Sequence, residues 1–204
     1  MRKIITTTFV TLDGVMQAPG GPEEDASGGF PYGGWQISFP SGEKLESKIG
    51  EFMSAPFELL LGKKTYDIFA SYWPKATTDL EVANPFNTTK KYVVSHHSFE
   101  PAWSNSFCIT GDVVMQLQKL KEEDEPDLWV YGSGNLIQTL LQNELIDRMH
   151  VWTYPITLGT GKKLFAEGTQ AENFKLVDSI VSTTGVIFAT YELAGPFTPD
   201  SKTS

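Results

Sequence analysis

Residues 59–67 read LLLGKKTYD. With Phe57 and Glu58 the apolar run has the length of a buried strand, Gly62 marks its end, and the following residues continue as a helix to about Ala70. Lys63 and Lys64 therefore stand in a first helical turn. There the unpaired N–H groups and the positive end of the dipole oppose each cation by about a few tenths of a kcal/mol. One reading is a pair of exposed surface lysines. The other is an anion above the turn, because the backbone N–H groups, both ammonium groups and the Thr65 hydroxyl would then all favour it. A phosphate monoester is the candidate.

Outward from this stretch, strand and helix patterns alternate. Ile4 to Val10 reads as a strand; SGEKLESKIGEFM (41–53) reads as a helix with Ser41 as N-cap. KYVVS (91–95), FCIT (107–110) and LWVY (128–131) read as strands, VVMQLQKL (113–120) and NLIQTLLQ (135–142) as helices. MHVWTYPITL, FKLVDSIV and VIFATYEL follow as strands without helices between them. Alternation implies parallel pairing through right-handed crossovers, and the helix-free end implies an antiparallel addition at one edge. The expected fold class is α/β with a mostly parallel mixed sheet, in one domain over residues 1–194. The polar stretch GPFTPDSKTS (195–204) is expected to be a fraying tail.

The 204 residues, 40% hydrophobic and 20% charged, are ordinary for a globular domain. A net charge of -9 argues against nucleic acid or an anionic membrane as partner. Cys108 is the one cysteine, so no intramolecular disulfide or cysteine-based zinc site forms, which favours a cytoplasmic setting. The three histidines, His96, His97 and His150, show no metal-ligand spacing with nearby carboxylates, and no metal is expected.

Ligands of open α/β sheets bind at the carboxyl ends of strands. Besides Gly62 to Thr65, a second such end is Tyr131 followed by Gly132, Ser133, Gly134, Asn135 and Leu136. Its glycines let backbone N–H groups approach an oxygen-rich ligand, and the helix that follows favours a pyrophosphate. A monoester at one strand end and a diphosphate at the other is what NADPH offers and NADH does not. Ser95, after KYVVS, is placed to donate to the same phosphate region, while His96 and His97 read as loop residues.

Residues 11–40 lack periodic structure over a length uncommon in a compact domain unless it forms a lid. Paired glycines beside Phe30, Tyr32 and Trp35 suit a mobile aromatic cover, the competing reading being a disordered insertion. On the 41–53 helix, Leu45, Ile49, Phe52 and Met53 define the apolar arc and Glu46 lies beside it. Glu46 reads either as a rim glutamate or as an acid that binds or protonates a substrate nitrogen, its pKa raised by burial.

In this order TLDGVM, LLLGKKTYD, YVVS, LWVYGSGNL and MHVWTYPITLGTGKKLF resemble the dihydrofolate reductase superfamily over about residues 2–193. The likeness is strongest to the reductase domain of the riboflavin-pathway deaminase-reductase, whose branch PITLGTGKKLF marks. The resemblance implies a three-layer dihydrofolate reductase-like fold, NADPH as cofactor, and hydride transfer to a C=N bond of a pterin-like or riboflavin-precursor-like small molecule. It places the 2′-phosphate on Gly62, Lys63, Lys64 and Thr65, Ser95 in the adenosine site, the pyrophosphate on Gly132 to Leu136, and the backbone of Val10 and Met16 against the nicotinamide. Glu46 falls where folate enzymes keep their substrate-binding acid, and Asp13 and Trp35 belong to the substrate loop. A homodimer is expected from the same resemblance. The insertion at about 17–40 departs from the pattern. A non-catalytic nucleotide-binding or dimerisation module on this fold is the competing function.

Overall fold

The computed structural model describes residues 1–199, built around one eight-stranded sheet. The strands are β1 (Ile4–Thr11), β2 (Phe57–Gly62), β3 (Lys91–Val94), β4 (Ser106–Ile109), β5 (Asp127–Tyr131), β6 (Arg148–Tyr154), β7 (Glu172–Val181) and β8 (Ile187–Pro196). Their spatial order is β4-β3-β2-β5-β1-β6-β8-β7. All pairings from β4 to β6 are parallel, and β8 pairs antiparallel with both β6 and β7. The antiparallel addition thus begins after β6. That strand joins β1 in parallel because the helix between β5 and β6 carries the chain back across the sheet.

Five α-helices cover the sheet: α1 (Glu43–Ser54), α2 (Lys63–Tyr72), α3 (Leu80–Thr88), α4 (Val113–Glu122) and α5 (Gly134–Gln142). Strand alternation divides the core between two faces. Ile4, Leu60, Leu128 and Val130 meet Leu117 of α4 and Leu136, Ile137 and Leu140 of α5. Ile5, Leu59, Leu61 and Trp129 meet Phe52 of α1, Tyr66 and Phe69 of α2 and Phe86 of α3. Leu59, Leu60 and Leu61 are all fully buried although they point to opposite sides, the mark of a strand covered on both faces. Each contributes about 2 kcal/mol of burial. The result is three layers, helix–sheet–helix.

Three local expectations change. Helix α1 begins at Glu43 behind Gly42, whose φ of 72° turns the chain in, and no side chain caps it, so Ser41 is not the N-cap. Helix α3 has no counterpart in the sequence reading because Pro85, sixth of its nine residues, reads as a breaker. Burial of Phe86 against Phe57, Phe69, Trp73 and Tyr131 offsets that cost. Strand β8 runs to Pro196, and the Phe197 N–H donates to the Ala171 carbonyl at 3.1 Å, so the expected tail starts inside the sheet. The remainder of that tail, 200–204, lies outside the described residues. Among the described residues no helix is long and apolar enough to cross a membrane.

At the opposite rim from the strand carboxyl ends, charges are paired, with Arg2 and Glu58 buried. Arg2 meets Glu58, which also pairs with Lys90 at 3.1 Å, and Lys121 meets Asp147 at 2.6 Å. Lys91 is fully buried, and its ammonium donates to the carbonyls of Asn87, Thr89 and Ser104 at 3.3, 2.8 and 3.0 Å. It sits 4.4 Å from the Trp103 ring centroid, and burial pulls its pKa down to about 8. This one side chain ties the end of α3 to the segment entering β4. Replacing Lys91 with Met is expected to cost about 2–4 kcal/mol, because three carbonyls lose their donor together. Urea denaturation measures it.

Candidate active site at the strand carboxyl ends

Strand β5 lies between β1 and β2, so three strand ends converge. After Tyr131 the chain turns through two left-handed residues, Gly132 at φ 58° and Ser133 at φ 67°, into α5. Ser133 occupies the N-cap position of α5 but does not cap it. Its hydroxyl turns outward, accepts the Gly62 N–H at 2.9 Å and donates to Thr65 Oγ1 at 2.8 Å. Gly62 eases this approach, since a Cβ there would lie 3.0 Å from Ser133 Oγ and push that side chain aside. On the other flank a Cβ on Gly134 would lie 3.5 Å from Met16 Sδ. Gly62, Thr65, Gly132, Ser133, Gly134 and Met16 therefore share one cradle where the amino ends of α2 and α5 meet. Asn135 is exposed beside it; Leu136 and Val10 are buried beneath it in the core shared with α5. Ser95 follows β3, alongside β2, and its hydroxyl accepts the His97 N–H at 3.4 Å. His96 and His97 are exposed.

The two lysines diverge, and each has a carboxylate of its own. Lys63 Nζ contacts both Asp67 oxygens at 2.6 and 2.7 Å and lies 4.5 Å from the Phe99 ring centroid, on the β3 side. Lys64 pairs with Asp25 of the insertion. Asp67 is one helical turn from Lys63 and legible as an i,i+4 partner. Asp25 is not, because it arrives from a separate loop. Burial raises the Asp25 pKa, but Lys162, Lys64 and Ser27 outweigh it and hold the carboxyl far below the ordinary carboxylate range.

The insertion packs as an aromatic layer against the sheet. Phe30 and Trp35 are buried, and short 3-10 turns form at Ser27–Gly29 and Trp35–Ser38. The Trp35 indole N–H donates to the Gln17 carbonyl at 2.8 Å, and its ring stands edge-on to Tyr154 at 5.2 Å. Phe39 packs on the same tyrosine at 5.9 Å. Asp13, expected in the substrate loop, is a clasp. It accepts from Thr11 Oγ1 at 2.5 Å, the Gly159 N–H at 2.7 Å and the Leu158 N–H at 3.2 Å. The Thr11 hydrogen bond is the main cause that lowers its carboxyl to about 2. Glu46 is exposed, while its neighbour Leu45 is fully buried against the insertion and β6. Of the two readings of Glu46, the structure gives the rim glutamate, because Leu45 fixes the rotation of α1.

Two residues escaped the sequence reading. Period-two alternation in MHVWTY puts His150, Trp152 and Tyr154 on one face, toward α1 and the insertion, a signal that was there to use. Trp152 is 2% exposed, and its indole N–H has no acceptor among the described residues. His150 stacks on Phe52 at 4.6 Å and 4°, with Thr7 Oγ1 3.5 Å from Nδ1. Among the described residues no cluster of three His, Cys, Asp or Glu side chains could hold a metal ion.

The family model of the RibD C-terminal domain matches residues 2–188. The chain belongs to that family. This RibD C-terminal domain protein is 28% identical over 197 residues to the uncharacterized protein YyaP of Bacillus subtilis (strain 168), covering 95% of this chain and 96% of YyaP. It is 22% identical over 176 residues to the uncharacterized YwjB of the same organism, covering 86% and 89%. Among solved structures it is similar to a protein assigned provisionally to riboflavin biosynthesis from Shewanella sp. PV-4, with a TM-score of 0.69, 21% identity and coverage of 94% and 98%. It is also similar to a dihydrofolate reductase from Enterococcus faecalis in complex with NADP(H), with a TM-score of 0.57, 11% identity and coverage of 94% and 96%. A pyrimidine reductase-like protein of Corynebacterium diphtheriae gives 0.60, 12%, and 94% and 92%. The fold is dihydrofolate reductase-like, and family membership supports a reductase-type role.

Burial pushes the His150 pKa down from 6.5 to about 4, with Arg148 and Lys48 adding to the shift. The folded protein binds the proton more weakly than the unfolded chain. The stability of neutral His150 is therefore fully present above pH 6.5 and is lost as pH falls toward 4. Acid unfolding should reveal a loss of about 3 kcal/mol across that window. A His150→Gln variant should lose that part of the slope.

Proposed function

We propose that the protein is an NADPH-dependent reductase that delivers a hydride to a C=N bond of a small heterocyclic substrate, pterin-like or riboflavin-precursor-like. The observation that carries this reading is the pair of turns joined by Ser133, which sets two helix amino ends and two glycine-lined backbones side by side. The cradle suits a pyrophosphate at its rim, where the Ser133 and Thr65 hydroxyls, hydrogen-bonded to each other at 2.8 Å, stand beside two glycine-lined turns. Gly62, Thr65 and Gly132 to Leu136 would hold the pyrophosphate, and the backbone of Val10 and Met16 would flank the nicotinamide. Lys63, turned toward Phe99 and β3, would read the 2′-phosphate with Ser95. Lys64 leans the other way, toward the insertion.

The bound cofactor supplies the hydride. The chain's own share is positioning and exclusion of water. Phe9, Trp152 and Tyr154 line the sheet beside the β1 end. Because Glu46 is exposed, proton delivery is assigned to water rather than to that carboxylate.

The competing reading, a non-catalytic nucleotide-binding module, draws on Trp35 and Phe39, which pack over the same aromatic face. Loss of NADPH absorbance with a panel of pterins and riboflavin precursors separates the two readings. Turnover supports the reductase, and tight NADPH binding without turnover supports the module.

The same proposal includes a cytoplasmic homodimer. The edge strand β7 exposes Leu176, Val177 and Val181 and has a free pairing edge. Val181→Glu should convert a dimer to monomer in light scattering; a wild-type monomer would contradict the proposal.

Calorimetry should find NADPH bound at least about tenfold more tightly than NADH, a difference of about 1.4 kcal/mol. Lys63→Ala should remove most of that difference, and Lys64→Ala should weaken both cofactors alike. Equal wild-type affinities would overturn the cofactor assignment.

A further inference from the structure

Asp25 is surrounded in the way an oxyanion ligand would be. Its Oδ1 accepts from Lys64, its Oδ2 accepts from Lys162 at 2.7 Å, and the Ser27 N–H and hydroxyl donate at 3.0 and 2.5 Å. The Asp25 side chain is 11% exposed, whereas those of Lys64 and Lys162 are 55% and 53% exposed. Both ammonium groups also lie within hydrogen-bond reach of one further oxygen, Ser27 Oγ, at 3.2 and 2.8 Å. The lysines come from unrelated parts of the chain, the first turn of α2 and the loop after β6. The Lys162 backbone is fixed independently, since its carbonyl accepts the Met16 N–H at 2.8 Å and its N–H donates to Gln17 Oε1 at 3.0 Å.

We propose that the Asp25–Ser27 turn is an internal occupant of a two-lysine oxyanion site made by Lys64 and Lys162, and that a phosphoryl ligand binds there by displacing it. The site adjoins the Ser133 cradle, because Lys64 precedes Thr65 and Lys162 is bonded to Met16. The inference deepens the cofactor reading above and rests on it for the ligand's identity, a nucleotide phosphate. Without an anion, two cations at a helix amino end would repel each other and the dipole. A carboxylate relieves this with one charge and two oxygens. A phosphoryl group brings more charge and a third acceptor, so it competes well for two ammonium groups.

The contact is built to yield. Half-exposed lysine pairs are weak and salt-screened. The turn is otherwise held by two bonds from Gln17 Nε2, to the carbonyls of Asp25 and Ser27 at 3.0 and 2.9 Å. The aromatic part of the insertion, around Trp35 and Tyr154, stays anchored when the turn lifts. Asp25 thus acts as a latch: it offsets one of the two positive charges while the site is empty and makes the ligand's phosphoryl charge the condition for opening.

The test compares the wild type with Asp25→Asn, which keeps the shape and removes the charge. NADPH and inorganic pyrophosphate are titrated by calorimetry, and hydrogen exchange of residues 18–30 is followed without ligand. Asp25→Asn should bind both probes at least about fivefold more tightly, and its 18–30 amides should exchange faster. Adding Lys162→Ala to Asp25→Asn should reverse the gain for pyrophosphate. Unchanged or weaker binding of both probes by Asp25→Asn overturns the latch, as does a gain that survives loss of Lys162. If neither protein binds NADPH, the cofactor reading fails by itself. Pyrophosphate and exchange then decide the latch: a tighter, faster-exchanging Asp25→Asn upholds it, and no change in either overturns it.

Discussion

The Ser133 hydroxyl is the point on which the site's geometry turns. It takes the N–H of the last β2 residue and gives its proton to the first turn of α2, while its own backbone, left-handed at φ 67°, launches α5. A non-glycine residue adopts that conformation at a cost, which the two hydrogen bonds offset. Two helix amino ends and two glycine-lined turns are thereby held at van der Waals distance, and a concentration of unpaired N–H groups results. Everything proposed about anions follows from that convergence. Underneath, a sheet buried on both faces makes the convergence rigid; at the far rim, Lys91 and the Arg2–Glu58 pair close the layers.

The insertion changes the electrostatic character of this arrangement. In a chain carrying a net charge of -9, three lysines gathered beside the joined turns are conspicuous, and the protein answers them with its own carboxylates. Lys63 is answered locally, by Asp67. Lys64 and Lys162 are answered by Asp25, carried in on a loop whose aromatic residues pack against β6 and β8. An exchange of one anion for another is easier than filling a bare site, since the cations are already gathered and the helix dipole already opposed.

Much of the fold was legible because parallel, two-face-buried strands announce themselves as short apolar runs; Leu59 to Leu61 is the clearest case. The strand-to-helix turns were legible for the same local reason, through Gly62, Gly132 and Gly134. What stayed hidden depends on contacts far apart in sequence. Helix α3 was masked by Pro85, whose penalty is offset only by the tertiary packing of Phe86. Glu46 stayed open between rim and cleft because a difference of about 20° in helical phase, no finer than periodicity resolves, decides between the two. Asp13 and Trp35 looked available for substrate because sequence cannot show that a carboxylate is already satisfied by Thr11, Leu158 and Gly159, or that an indole has found the Gln17 carbonyl. Asp25 was one acid among 25 until the loop folded back.

The central claim is that the joined turns receive the phosphates of a reducing dinucleotide. Backbone amide chemical shifts during titration with NADPH address it directly, because they report which N–H groups acquire an anionic neighbour. The account predicts that the largest changes fall on Gly62 to Thr65 and Gly132 to Leu136, saturating together. Shifts concentrated elsewhere, or none at saturating NADPH, would contradict it.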